Sequence, residues 1–149
     1  MKKIAIILAG VLIVAASAVI VVLTLLGRAP TVPELLGDKD LSAEDVAMLR
    51  VDDRIWGNFT YETRQSGLIA EMMEYLSGLK LEEGANAYPG GWRDITLTLK
   101  TGGETLKLTL SGDDVVVGEV WWHVREGLWS EIEWERFLEK FEILEMEEP

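Results

Sequence analysis

The stretch WRDITLTLKTGGETLKLTL at 92–110 alternates apolar and polar residues on both sides of a glycine pair. Period two belongs to a half-buried strand, and a turn between two such runs makes a hairpin. A two-residue turn at Gly102 and Gly103 sets Leu99 opposite Leu106, Leu97 opposite Leu108 and Ile95 opposite Leu110. The same register gathers Thr96, Thr98, Lys100, Thr105, Lys107 and Thr109 on the other side. The chain is thereby committed to an antiparallel sheet with one buried and one wet face.

The remaining elements are read around that hairpin. In DVVVGEVWWHV, a turn at Gly118 and Glu119 opposes Val117 with Val120 and Val115 with Trp122, leaving Asp114, Val116, Trp121 and His123 on the other face. Upstream, Ser42 and Asp45 have capping-box spacing before VAMLRV. RIWGNFTYE then alternates, which predicts two strands joined near Asp52 and Asp53 with Trp56 opposite Ile55 and Phe59. A helix is predicted over QSGLIAEMMEYLSGL, capped by Thr63 or Ser66, from the spacing of Leu68, Ile69, Met72, Met73 and Leu76. A second helix follows a Ser130/Glu133 capping box, with Trp134, Phe137, Leu138 and Phe141 as its buried stripe. LEEGANAYPGG between the first helix and the hairpin reads as loop. The expected fold is α+β in the order β-β-α-β-β-β-β-α, an antiparallel sheet of five or six strands with two helices on one face.

The N-terminus sets where such a domain sits. The run IAIILAGVLIVAASAVIVVLTLL at 4–26 carries no charge, and 23 helical residues span roughly 34 Å against a hydrocarbon core of about 30 Å. Ala16-Ser17-Ala18 has the form of a signal-peptidase site, but the apolar run continues past it, which a cleavable leader does not do. Lys2 and Lys3 hold the N-terminus in the cytoplasm by the positive-inside rule. The expectation is a single-pass cell-membrane protein: anchor at 1–27, a Pro- and Gly-containing stalk at 28–40, and an extracytoplasmic domain at 41–149. Lys2 and Lys3 are two of the 14 basic residues, so the rest of the chain sets 12 against 26 acidic ones, a balance of −14. Nucleic acid and anionic membrane surfaces reward clustered Lys and Arg, and this balance argues against both. With no cysteine, neither disulfides nor thiol-linked lipids are available, and the core alone holds the domain.

Catalytic chemistry finds little support. His123 is the single histidine, too few for the usual zinc sites without cysteines. No G-x-S-x-G elbow presents a serine to it. Asp38, Asp40 and Ser42 match the start of an EF-hand loop, but Ala43 replaces its glycine and Leu49 its closing glutamate. The acid pairs Asp52-Asp53 and Asp113-Asp114 fall at predicted turns, where aspartate is favoured for backbone reasons. KTGGETLKLTL runs from strand to strand, so its glycines do not form a phosphate loop. No cofactor or metal is indicated.

The order of elements, together with "LSAEDVAMLRV", "YLSGLKL" and "GGWRDITLTL", resembles small extracytoplasmic bacterial domains of unknown function, membrane-anchored or of lipoprotein type. The resemblance covers about residues 41–143 and implies an envelope location without any activity. The absence of cysteine departs from the lipoprotein members. The functional expectation is a tethered, non-enzymatic domain that binds a protein or glycan through its uncovered sheet face. Trp121, Trp56 and His123 are its candidate site, since large aromatics on a polar face mark partner contacts. An accessory subunit of a membrane complex, suggested by Gly10, Ser17 and Thr24 along one anchor face, and a cell-envelope hydrolase are the alternatives.

Overall fold

A computed structural model describes residues 28–84 and 90–144. The anchor expected at 4–26 lies outside them. Among the described residues no helix is long and apolar enough to cross a membrane.

Among the described residues eight strands build one antiparallel sheet: β1 (Val46–Asp53), β2 (Phe59–Thr63), β3 (Lys80–Glu83), β4 (Trp92–Leu99), β5 (Thr105–Ser111), β6 (Asp114–Val117), β7 (Val120–Glu126) and β8 (Glu142–Leu144). Their spatial order is β3-β7-β6-β5-β4-β1-β2-β8. Three described helices accompany them: α1 (Val32–Leu35), α2 (Ser66–Gly78) and α3 (Glu131–Leu138). The expected five or six strands and two helices are therefore corrected to eight and three. The two extra strands are the sheet's edges. β3 carries a single buried residue, Leu81, and pairs with β7 at the far side of the sheet, so a local reading of alternation passes it over. β8 has three residues paired with β2.

The third helix lies in the segment read as a stalk. Thr31 and Glu34 form a capping box, with Glu34 N donating to Thr31 Oγ1 at 3.4 Å and Thr31 N to Glu34 Oε2 at 2.9 Å. Val32 and Pro33 are buried, and α1 packs on α2, so this segment joins the core. A 3-10 turn at Ala43–Asp45 follows, where the Asp45 carboxylate accepts from Ser42 N and Oγ.

Hairpin β4–β5 keeps the predicted faces in a different register. Leu97 opposes Leu106 and Ile95 opposes Leu108, two residues from the expected pairing. Lys100 N is drawn to Asp45 O at 2.9 Å, which takes Lys100 out of the ladder. Leu99 N then bonds Glu104 O at 2.8 Å and residues 100–103 form the loop. An even slip moves each side chain along the strand without changing its face. Hairpin β6–β7 has the predicted register, Val117 opposite Val120 and Val115 opposite Trp122. Strands β1 and β2 join later than expected. Asp52 and Asp53 both lie inside β1, and the connection is residues 54–58.

One sheet face, with Leu49, Val51, Ile95, Leu97, Leu108 and Val115, packs under Ile69, Met72 and Leu76 of α2 and Trp134 and Phe137 of α3. Tyr75 joins the two helices, stacked on Trp129 at 4.1 Å and edge-on to Trp134 at 5.4 Å.

Candidate functional site

Strand phase puts Arg93 on the apolar face, two residues before Ile95, directly opposite Asp53 of β1. Both are buried, at 3% and 2% exposure. A guanidinium there requires partners for its donors, and it has them. Nε meets Asp53 Oδ2 at 3.2 Å, while Nη1 and Nη2 fork onto Glu131 at 3.2 and 2.7 Å. The guanidinium carbon also lies 4.7 Å from the Trp134 ring centre, a cation–π distance. Glu131 opens α3 beside the Ser130 cap, where Glu133 N donates to Ser130 Oγ at 3.3 Å. The hydrogen bonds and charge of Arg93, with a lesser contribution from the Trp56 indole, hold the Glu131 carboxyl below its usual range despite partial burial. Arg93 thus ties the end of the sheet to the start of α3.

The β1–β2 connection comes down on the same place. Arg54 N donates to Trp92 O at 2.9 Å and Ile55 N to Asp53 Oδ1 at 2.9 Å. Gly91 makes this approach possible, because a Cβ on it would stand 2.5 Å from Ile55 Cα and 2.7 Å from Arg54 O. Trp56 is carried over the helix start, and its indole N–H donates to Glu131 Oε2 at 3.2 Å.

Between this turn, β2 and α3 lies a cleft of about 540 Å³. Its walls are Trp56, Phe59, Tyr61, Ile132 and Leu138; Arg93 and Asp53 are at its floor, and Glu135 and Glu139 at its edge. Trp56 is 73% exposed, Ile132 61% and Phe59 46%. Burial, reinforced by the nearby Asp53 charge, raises the Tyr61 phenol above its usual range, so it stays neutral.

The three residues expected to share a patch are divided. Trp56 belongs to this cleft, on the helix-bearing side. The alternation that placed it on the open face does not apply, because residues 54–58 are a turn. Trp121 and His123 do share the open face of β7, opposite Val116 and Asp114. His123 Nδ1 is 3.3 Å from Asp114 Oδ1, and Nε2 is 3.9 Å from Glu82. Ser111 lies across β6 from His123, beside Asp114, so the three do not stand in the serine–histidine–aspartate order of a relay. Ser130 is spent as a helix cap.

The acid pairs also differ from expectation. Asp52 and Asp53 point to opposite faces, which excludes joint action on one substrate. Burial pushes Asp52 upward, but hydrogen bonds from Arg50 and Thr60 and the charges of Arg50 and Arg54 outweigh it and hold the carboxyl low. Asp114 lies within β6 and is fully buried, leaving only Asp113 in a turn. Among the described residues no group of three or more acidic or histidine side chains is placed to hold a metal ion.

Sequence reasoning passed over Arg93, Glu131, Phe59 and Ile132 as site residues. The signal for Arg93 was present: an arginine in the apolar phase of the strand set by Ile95 and Leu97. Comparison with protein-family models, curated proteins and solved structures finds no match. The site is therefore read from its own geometry.

Proposed function

We propose that this chain is a membrane-tethered extracytoplasmic domain that binds a protein partner in the cleft between the 54–58 turn and α3. Tethering and orientation rest on the uncharged run at 4–26 and on Lys2 and Lys3. The observation that carries the binding reading is the lip of Trp56, Phe59 and Ile132, three large apolar side chains left exposed around one concavity. Scattered exposed apolar residues are ordinary; clustered around a cleft they mark a contact surface.

The floor favours a protein over a glycan. Sugar recognition needs several free, directed polar groups, yet Arg93, Asp53, Glu131 and the Trp56 indole are engaged with one another. Outside that network the cleft offers apolar wall, with the carboxylates of Glu135 and Glu139 only at its edge. The same mutual engagement supports a non-enzymatic reading, since these groups are held in place by each other.

The test is photo-crosslinking from the full chain in its own membrane, with a benzophenone side chain at position 132 or, on the open face, at position 98. Adducts from position 132 that are lost in a Trp56→Ala background are expected. Adducts from position 98 alone would move the site to the open face and refute the reading.

A further inference from the structure

We infer that the cleft takes a protein segment in which an apolar side chain is flanked by lysine or arginine; this rests on the cleft being the binding site. Glu131, Glu135 and Glu139 are spaced four apart and all border the cleft, so they form one acidic row along α3 and its C-terminal turn. Like charges at that spacing oppose a helix. Arg93 answers the first of them. Among the described residues neither Glu135 nor Glu139 has a basic partner within ion-pair distance. Of the cations nearby, Lys140 pairs with Glu71 at 2.8 Å, Arg54 bonds Asn58 and, at 3.9 Å, Asp52 on the open face, and exposed Arg136 in the last turn of α3 acts on Glu133 and forms no ion pair with the row.

The border therefore holds four carboxylates, Asp53 included, against one guanidinium. Two of those carboxylates bond Arg93, whose single charge offsets only one of them, and two more remain beside an apolar wall. A segment with aliphatic or aromatic bulk alone would fill the wall and leave the row unanswered. One carrying carboxylates would be repelled, by this row and by a chain of net charge −12. An apolar side chain lodged against Trp56, Ile132 and Leu138, with a neighbouring cation over Glu135 and Glu139, satisfies both features.

The experiment uses the full chain in nanodiscs of uncharged lipid and three blocked hexapeptides, of alternating leucine with lysine, with glutamine and with glutamate. The readout is the indole N–H resonance of Trp56, assigned with Trp56→Phe. The lysine peptide is expected to shift that resonance and to bind at least about tenfold more tightly than the glutamate peptide. Glu135→Gln with Glu139→Gln should weaken it about fivefold or more, as loss of two exposed ion pairs implies. Both residues are exposed and their charges oppose the helix, so a melting temperature that is not lowered checks that the fold is intact. Equal affinity for the lysine and glutamine peptides at low salt would overturn the charge inference and leave the cleft reading standing. Failure of every peptide to move the Trp56 resonance would also overturn it, and the crosslinks from position 132 decide separately whether the cleft binds a protein.

Discussion

Replacing Arg93 by methionine tests whether the floor of the cleft is held electrostatically. The substitution keeps most of the side-chain volume and the contact with Trp134 while removing the charge. Asp53 would retain only the bond from Ile55 N, at 2.9 Å, and would lose the Nε contact at 3.2 Å while remaining 2% exposed. Removing one partner of a buried pair in this way costs about 3–5 kcal/mol, because the other charge is stranded. Glu131 is half-exposed and can turn to water, so Glu131→Gln should cost only about 1 kcal/mol. The two effects separate in a cycle. Arg93→Met with Asp53→Asn should be more stable than Arg93→Met alone, since the second change removes the stranded charge. Urea unfolding at neutral pH reads all four proteins. A loss under about 1 kcal/mol for Arg93→Met, or a double variant no better than the single, would refute the reasoning.

Phe137 is 1% exposed and packs against Trp129, Trp134 and Phe141, so Phe137→Ala should cost about 3–5 kcal/mol in urea unfolding. The Tyr75 hydroxyl is buried without a hydrogen bond in proper geometry although the Trp129 backbone is close, and burial pushes its phenol up to about 12; Tyr75→Phe should leave stability unchanged or raise it by about 1 kcal/mol in a thermal melt. Asp52 and Glu131 sit below their ordinary values of 3.8 and 4.5 in the folded chain, so unfolding takes up protons there. Their contribution is complete above those values and lost as pH falls through the lower folded ones, and Glu131→Gln should flatten that acid limb in pH-dependent unfolding. Trp121→Ser should leave stability nearly unchanged and crosslinking from position 132 intact, because Trp121 lies on the open face.

The sidedness of the sheet was legible because period two survives errors of register. The β4–β5 pairing was misplaced by two residues, yet Ile95, Leu97 and Leu108 are buried as the alternation requires. The amphipathic helices were legible for the same reason, with the Ser130/Glu133 box marking where the last one starts. Both edge strands were missed because their partners are remote in sequence. Lys80–Glu83 becomes a strand through β7, about forty residues downstream, and nothing within KLEE announces it.

The site was misread at one point, and the reason is local. Continuing the alternation back from Phe59 through Asn58, Gly57 and Trp56 treats residues 54–58 as strand, whereas Gly91 lets that turn close onto the end of β4. Once the chain turns there, strand phase no longer governs Trp56. Its direction is set instead by the acceptor nearest its indole, Glu131, whose own position is fixed by Arg93. The position of Trp56 thus depends on a glycine and an arginine in the short stretch GGWRD, 35 and more residues away. Gly91→Ala should accordingly displace the turn and weaken partner crosslinking from position 132 while leaving the helix packing around Phe137 in place. If that substitution left the Trp56 indole resonance unmoved, the turn would not be held by this approach and the cleft would have another origin.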